Sequence, residues 1–417
     1  MEPPEGLQPI YESICLAHIL DPTLRTQAEF AIGNQGSPCS YCGAEPGGDA
    51  ASRTVGMDVV AHYVHEAMLT RYRSFDDASV FEGEAWETAL DTDEVVVDIA
   101  DGAFEVAVSE QVLNDIIAAI ATPTAWFKDD TRDQFAYSWE QFAETVRHEA
   151  RFVLIAEPRP GGENEPPARL SRFLEGLLGY ADKSTRMLHT LPAGTKLYRG
   201  RMTDNPAGLR AEAEKEPAQK LGAAPPERAA AGRMSGEGVP LFYGADNVHT
   251  AVAEIALHSP YDFAVIGEFT TQRPVTILDF TRNPKVPSIF DLEHQDRRLF
   301  AEFVDDFVSA ITKPVILDGR ERVDYLPTQV VTEYLRWVPR RRIDGIAFPS
   351  RADSRGKNVV LFTRPGEDVV TDPPTTDERR SIALTLSIGG SHDPTLRISP
   401  RAITEHAVSR SVRVSPH

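Results

Sequence analysis

Residues 232–260 read GRMSGEGVPLFYGADNVHTAVAEIALHSP, and the reading of this stretch decides the fold of the C-terminal half. A Gly-rich turn (Ser235, Gly236, Glu237, Gly238) precedes the apolar run Val239 to Tyr243, which predicts a buried strand that Gly244 ends. Asp246 or Asn247 offers a cap for a helix over Thr250 to His258, with Ala251, Val252, Ile255 and Leu257 on its apolar face. Glu254 falls among those apolar neighbours. A carboxylate is costly there unless something pairs with it or it lines a cleft. It is therefore either a surface glutamate that abuts the stripe or the acid of a site.

Around this stretch the pattern predicts short strands at Lys196 to Met202, Pro240 to Tyr243, Phe263 to Phe269, Val275 to Asp279, Gly345 to Phe348 and Val359 to Thr363. Helices are predicted over Asp291 to Ile311 and Leu326 to Val338, and a further one over Leu170 to Leu188 leads into this half. The class is α+β, a strand-rich core with helices on its flanks. No GxGxxG opens a helix after a strand, so a Rossmann dinucleotide site is not expected.

Four segments in order carry a family likeness: Lys196-Leu197-Tyr198-Arg199-Gly200-Arg201, the Tyr243 to Glu254 region, Asp344-Gly345-Ile346-Ala347-Phe348-Pro349-Ser350, and Lys357-Asn358-Val359-Val360-Leu361-Phe362. Together they resemble the RES domain, a family named for an Arg, a Glu and a Ser. The matching positions are Arg199, Glu254 and Ser350, and the resemblance covers about Leu191 to Arg364. A stretch from about Ala207 to Ala231, rich in Ala, Glu and Pro, departs from the pattern and is read as a lengthened loop forming one wall of the cleft.

The resemblance implies an ADP-ribosyltransferase-like fold with small mixed sheets around NAD+. It also implies a toxin of the toxin-antitoxin kind, or a defence effector, that degrades NAD+ by hydrolysis or phosphorolysis of the nicotinamide N-glycosidic bond. Transfer of ADP-ribose to a protein acceptor and a non-catalytic nucleotide- or partner-binding module are the alternatives. Glycosidic cleavage passes through a ribosyl cation that a carboxylate stabilises; Glu254 is expected either in that role or holding the ribose hydroxyls. A permanently charged planar fork suits the pyrophosphate, which points to Arg199 with Arg233 as a second. Tyr198 or Tyr243 would stack on a flat ring of the ligand. Ser350, after a strand and Pro349, is read as binding an amide or phosphate; no GxSxG surrounds it, so it is not read as a nucleophile. Each has a plainer rival: Tyr243 as a core cap, or Arg233 paired with Glu237.

The whole chain has 417 residues, enough for two or three domains, and a formal charge of -20 that argues against general nucleic-acid binding. No segment reaches the apolar length of a bilayer span, and a cytoplasmic protein of bacterial type is expected. Cys15, His18, Cys39 and Cys42 offer three thiolates and an imidazole, the ligand set of a closed structural Zn2+ site. Such a site is a staple without an open position for chemistry. Helices are predicted over Val55 to Phe75 (stripe Val59, Val60, Tyr63, Val64, Met68, Tyr72), Ser109 to Ala121, and Ser138 to Ile155 (Trp139, Phe142, Val146, Phe152, Val153). His62 and His65 are read as solvated or capping, and Glu94 to Asp98 as a short strand in a solvated connection.

A Cys-knuckle followed by helices ahead of a RES domain is similar to the HEPN-related N-terminal extension of part of that family. Some HEPN domains cleave RNA through Arg-x4-His; here only Arg401 to His406 fits, in the C-terminal tail, and nuclease activity is set aside. The expected layout is a zinc-knuckle segment to residue 50, a HEPN-like helical domain at 51–156, a linker and connecting helix at 157–190, the RES domain at 191–385 and a tail or edge strand at 386–417. The resemblance also implies an antitoxin or other regulatory partner, with restraint in cis by the N-terminal part or the 207–231 stretch as a further expectation; a homo-oligomer is left open.

Overall fold

The protein is described from a computed structural model, for residues 7–31, 37–45, 53–74, 89–120, 125–128, 138–154, 157, 159–162, 165–183, 186–257, 259–313, 321–364, 368–373, 376, 378–380 and 394–410. The chain forms two compact units, one of Met1–Ala136 with Lys285–Ala301 and one of Tyr137–Pro284 with Glu302–His417.

The first unit is built on β1 (Ser13–Cys15), α1 (Pro22–Phe30), β2 (Thr54–Gly56), α2 (Met57–Arg71), β3 (Tyr72–Ser74), α3 (Thr92–Ala100), α4 (Val106–Ala119) and β4 (Trp126–Lys128). β1 pairs with β2 and β3 with β4, both antiparallel. On α2 the predicted stripe is inside: Val60, Val64 and Met68 are fully buried, with Val59 and Tyr63 packed against the same core. Two expectations fail here. His65 is not solvated: it is buried, its ring meets Trp126 edge-on at 6.4 Å, and burial lowers its pKa, which keeps it neutral. Glu94 to Asp98 is not a strand but the middle of α3. Glu94 accepts a hydrogen bond from the Asp91 N–H (2.9 Å), a first-turn cap that outweighs the β-branched run Val95-Val96-Val97.

The second unit opens with α5 (Trp139–His148) and α6 (Pro166–Lys183). Ser138 and Gln141 cap α5 reciprocally, at 3.2 and 3.1 Å. The helix stops well before Ile155, so Phe152 and Val153, expected on its stripe, are solvent-exposed. Its Trp139 and Phe142 instead join Phe173 and Phe303 in an edge-to-face cluster, with Phe173 and Phe303 centroids 4.6 Å apart.

Next come β5 (Leu188–Leu191), β6 (Lys196–Thr203), α7 (Pro206–Lys215), α8 (Pro217–Leu221), β7 (Phe242–Ala245), α9 (Val248–Ala256), β8 (Phe263–Thr271) and β9 (Val275–Asp279). The chain ends with α10 (Gln295–Thr312), the short α11 (Glu321–Asp324), α12 (Leu326–Trp337), β10 (Gly345–Pro349), β11 (Lys357–Leu361), β12 (Val369–Thr371) and β13 (Leu396–Ala407). In place of small separate sheets there is one nine-stranded mixed sheet, β12-β13-β8-β6-β7-β11-β10-β9-β5. β12/β13 and β10/β9 are parallel and the other pairs antiparallel.

The sheet is weakest at one place. β6 keeps eight register pairs with β8 but only Tyr198↔Ala245 with β7, so the two halves part there. In this unit the expected strands all occur within about two residues of their predicted ends.

The 207–231 stretch is not a bare loop. Asn205 accepts from the Gly208 N–H (3.0 Å), and Pro206 and Pro217 start α7 and α8, where a missing N–H costs nothing. The Ala, Glu, Lys and Leu between them are strong helix formers. Ala213 and Leu221 from these helices are fully buried beside Leu197, Phe242, Phe269 and Ile398. Within the C-terminal stretch read as a tail or edge strand, β13 lies one place inside the edge, between β12 and β8; residues 386–393 and 411–417 of that stretch lie outside the described residues.

Truncating Phe303 removes the ring shared by Trp139, Phe142 and Phe173. Phe303→Ala should cost about 3–5 kcal/mol in chemical denaturation, and a cost under about 1 kcal/mol would show that the cluster does not hold this unit together.

Candidate active site

Asn247 caps α9 by accepting from the Thr250 N–H at 2.9 Å, and Glu254 follows one turn after Thr250. The helix ends at Ala256, so Leu257, expected on the buried face, is past it and exposed. Glu254 is partly buried and lines a cavity of about 450 Å³. Its Oε1 accepts from the Ser350 hydroxyl at 2.5 Å and from the Asn358 amide at 2.8 Å. Asn358 lies on β11 opposite Ala245 of β7, which brings it next to the start of α9. Ser350, just after β10, is buried and receives the Asp353 N–H at 3.1 Å. Its one proton therefore goes to Glu254. In this structure the Ser350 hydroxyl thus engages the carboxylate, where the expectation was an amide or phosphate of a ligand.

Arg199, on β6, lies where the sheet parts. Its Nε donates to the carbonyls of Leu221 and Gly222 (3.1 and 3.2 Å) and its Nη1 to that of Tyr243 (2.6 Å), while its guanidinium stands 5.7 Å from the centre of the Phe242 ring. These bonds tie β6 to β7 and to the end of α8 where strand pairing no longer does. Part of the fork is thus spent on backbone. Burial lowers the pKa to about 10, with Arg201 adding to the shift, so the group is charged at neutral pH.

The other expected residues also line the cavity. Tyr198 donates its hydroxyl to Glu268 (3.1 Å), and Tyr243 shares a hydrogen bond with Ser235 (3.2 Å). Burial raises both phenols, which keeps them neutral. Arg233 donates to the Ala310 carbonyl (2.5 Å) and stands 5.8 Å from the centre of the Tyr325 ring.

Sequence reading missed Arg351 and Lys313, and it gave Asn358 no role. Arg351 had a signal, since it follows Ser350 directly. Among the described residues, the cavity lining thus carries four cations, Arg199, Arg233, Arg351 and Lys313, against the single carboxylate of Glu254. In a chain of net charge -20, that local reversal suits an anionic ligand.

In the first unit, the sulfur and imidazole atoms of Cys15, His18, Cys39 and Cys42 all lie within 4.8 Å of one another. His18 Nδ1 is bound to Glu105 at 2.7 Å, and the buried Nε2 has no hydrogen-bond partner among the described residues. That is the arrangement of a metal-ligating histidine, with the carboxylate fixing the ring. Burial pushes the Cys15 thiol up to about 12. For Cys39, burial is outweighed by hydrogen bonds from the Tyr41, Cys15 and Cys42 backbone, which bring it down to about 7, the form a metal takes. The four residues can hold a metal ion. Glu105 is the member that spacing does not reveal, 87 residues from His18.

Two family models match the chain: the RES domain over residues 207–385 and the HEPN/RES N-terminal domain 1 over 33–159. The first begins after Arg199 and takes in the 207–231 stretch. The second includes Cys39 and Cys42 but starts after Cys15 and His18. No curated protein and no solved structure matches the chain. The Arg401 to His406 motif lies on β13, not on a helix.

Metal analysis of the purified chain should give about one equivalent. Glu105→Gln should weaken retention against a chelator about 10–100-fold, and unchanged retention would remove Glu105 from the site.

Proposed function

We propose, for a chain that is a RES-domain protein with an HEPN/RES N-terminal domain ahead of it, that the cavity at Glu254 binds NAD+ and cleaves its nicotinamide N-glycosidic bond. The observation that carries this is the carboxylate itself, held through one oxygen by Ser350 and Asn358 in a lining whose other charged members, among the described residues, are cations. A ribosyl cation needs a fixed anion beside it, and a pyrophosphate needs fixed cations.

In this reading the C1′–N bond breaks, and its electron pair goes to the nicotinamide nitrogen, which leaves as the neutral ring. Glu254 Oε2 stabilises the developing cation at C1′ or holds a ribose hydroxyl. Water or inorganic phosphate attacks C1′; water gives up its proton to solvent. With Arg199 partly engaged by backbone, most of the pyrophosphate charge falls to Arg233, Arg351 and Lys313. Tyr243 and Tyr198 supply ring faces for the nicotinamide or adenine. The metal of the first unit is Zn2+, bound as a structural staple. Depletion of NAD+ is the work of a toxin or defence effector, and a partner protein that plugs the cavity would restrain it.

Two variants separate the roles. Glu254→Gln keeps shape and both hydrogen-bond donors nearby but loses the charge, and should lower kcat for nicotinamide release about 10²–10³-fold. Arg351→Gln should raise KM for NAD+ with a smaller change in kcat. Full activity of Glu254→Gln would sink this reading.

A further inference from the structure

Thr250 and Glu254 stand one turn apart on α9, and the loop joining β10 to β11 meets both. At Glu254 the contact is the Ser350 hydroxyl. At Thr250 it is the Asp353 carboxylate: Thr250 Oγ1 donates to Asp353 Oδ2 at 2.7 Å, and His249 Nδ1 lies 3.0 Å from the same oxygen. Asp353 Oδ1 accepts from the Arg355 N–H at 3.2 Å. The loop is closed on itself by Ser350 N–H to Gly356 O (3.0 Å) and Gly356 N–H to Asp353 O (2.9 Å). It is tied to the approach to α9 by Lys357 N–H to Asp246 Oδ1 (3.0 Å).

Thr250 is fully buried, and a Cβ placed on Gly356 would fall 1.8 Å from its hydroxyl, so helix and loop backbone touch with nothing between them. The Asp353 side chain is only 10% exposed. Hydrogen bonds from Thr250 and His249 hold its carboxyl down to about 2, so it stays an acceptor throughout the range in which the protein would work.

The network has a direction. A serine hydroxyl has one proton, and Ser350 Oγ already receives the Asp353 N–H. Its proton is therefore committed to Glu254 Oε1. If the Asp353 backbone swings away, the hydroxyl rotor is released and Glu254 loses one of its two donors. We propose that Asp353 is a positioning residue: by gripping Thr250 it fixes the loop in the register that aims Ser350 at Glu254 and holds the carboxylate in its reactive orientation. This rests on the glycosidase reading of the same cavity for its kinetic consequence, though not for its geometry.

The test uses the full chain with Thr250→Val, Thr250→Ser, Asp353→Asn and, as a control, His249→Ala, whose side chain is mostly exposed. Two readouts are taken. Amide hydrogen exchange over residues 350–357 reports the grip without requiring turnover: Thr250→Val should speed exchange there about tenfold or more, while Thr250→Ser should match the wild type. Nicotinamide release reports the consequence. Thr250→Val and Asp353→Asn should lower kcat about 10–100-fold with KM for NAD+ within about twofold, Thr250→Ser should restore most of it, and His249→Ala should change little.

Unchanged exchange in Thr250→Val overturns the proposal whether or not the wild type turns over NAD+. So does a normal kcat in Thr250→Val and Asp353→Asn, or a Thr250→Ser variant as impaired as Thr250→Val, which would make the site a packing contact. A wild type that releases no nicotinamide overturns the glycosidase reading alone, and the exchange result then decides the positioning claim.

Discussion

The carboxylate of Glu254 is the constraint around which the second unit is arranged. It sits on a short helix whose other side chains near it are apolar, and it is tolerable there because two donors meet one of its oxygens. Supplying those donors requires β11 to run beside β7 so that Asn358 stands over the start of α9, and requires the turn after β10 to fold back until Ser350 reaches the helix. Sheet order, helix cap and loop closure thus converge on one side chain. A carboxylate held so tightly through Oε1 keeps Oε2 in a defined place, which is what stabilising a short-lived cation demands.

The second organising feature is the parting of the sheet between β6 and β7. Strand pairing across it is reduced to Tyr198↔Ala245, and the gap is bracketed by Arg199 through the carbonyls of Leu221, Gly222 and Tyr243. An arginine suits this because one planar group reaches acceptors on two elements and remains charged when half-buried. The helices of the 207–231 stretch are part of the bracket, since α8 ends at the carbonyls that Arg199 grips. Their buried residues Ala213 and Leu221 join the same core as Leu197 and Phe242 of the sheet.

Much of this was legible in the chain. Strand positions followed from short apolar runs between breakers, and the Cys15, His18, Cys39, Cys42 set from ligand type and spacing alone. Glu254 stood out as a charge on an apolar face. Other features were hidden for physical reasons. The Val95-Val96-Val97 run looks like a strand until the Asp91–Glu94 cap is noticed, and Ala- and Glu-rich composition between prolines reads equally as loop or as capped helices. The bond from Ser350 to Glu254 joins residues 96 apart, which a sequence cannot show. Glu105 and Asp353 meet partners 87 and 103 residues away, and periodicity carries no information about such pairs.

The most direct test of the account is the identity of the products formed from NAD+ by the purified chain. The account predicts one nicotinamide for each NAD+ lost, with the ribose carbon C1′ bonded to oxygen from water or phosphate. Loss of NAD+ with nicotinamide still on its ribose would mean cleavage at the pyrophosphate, and intact NAD+ would mean binding without chemistry; either result contradicts a carboxylate placed to stabilise a ribosyl cation.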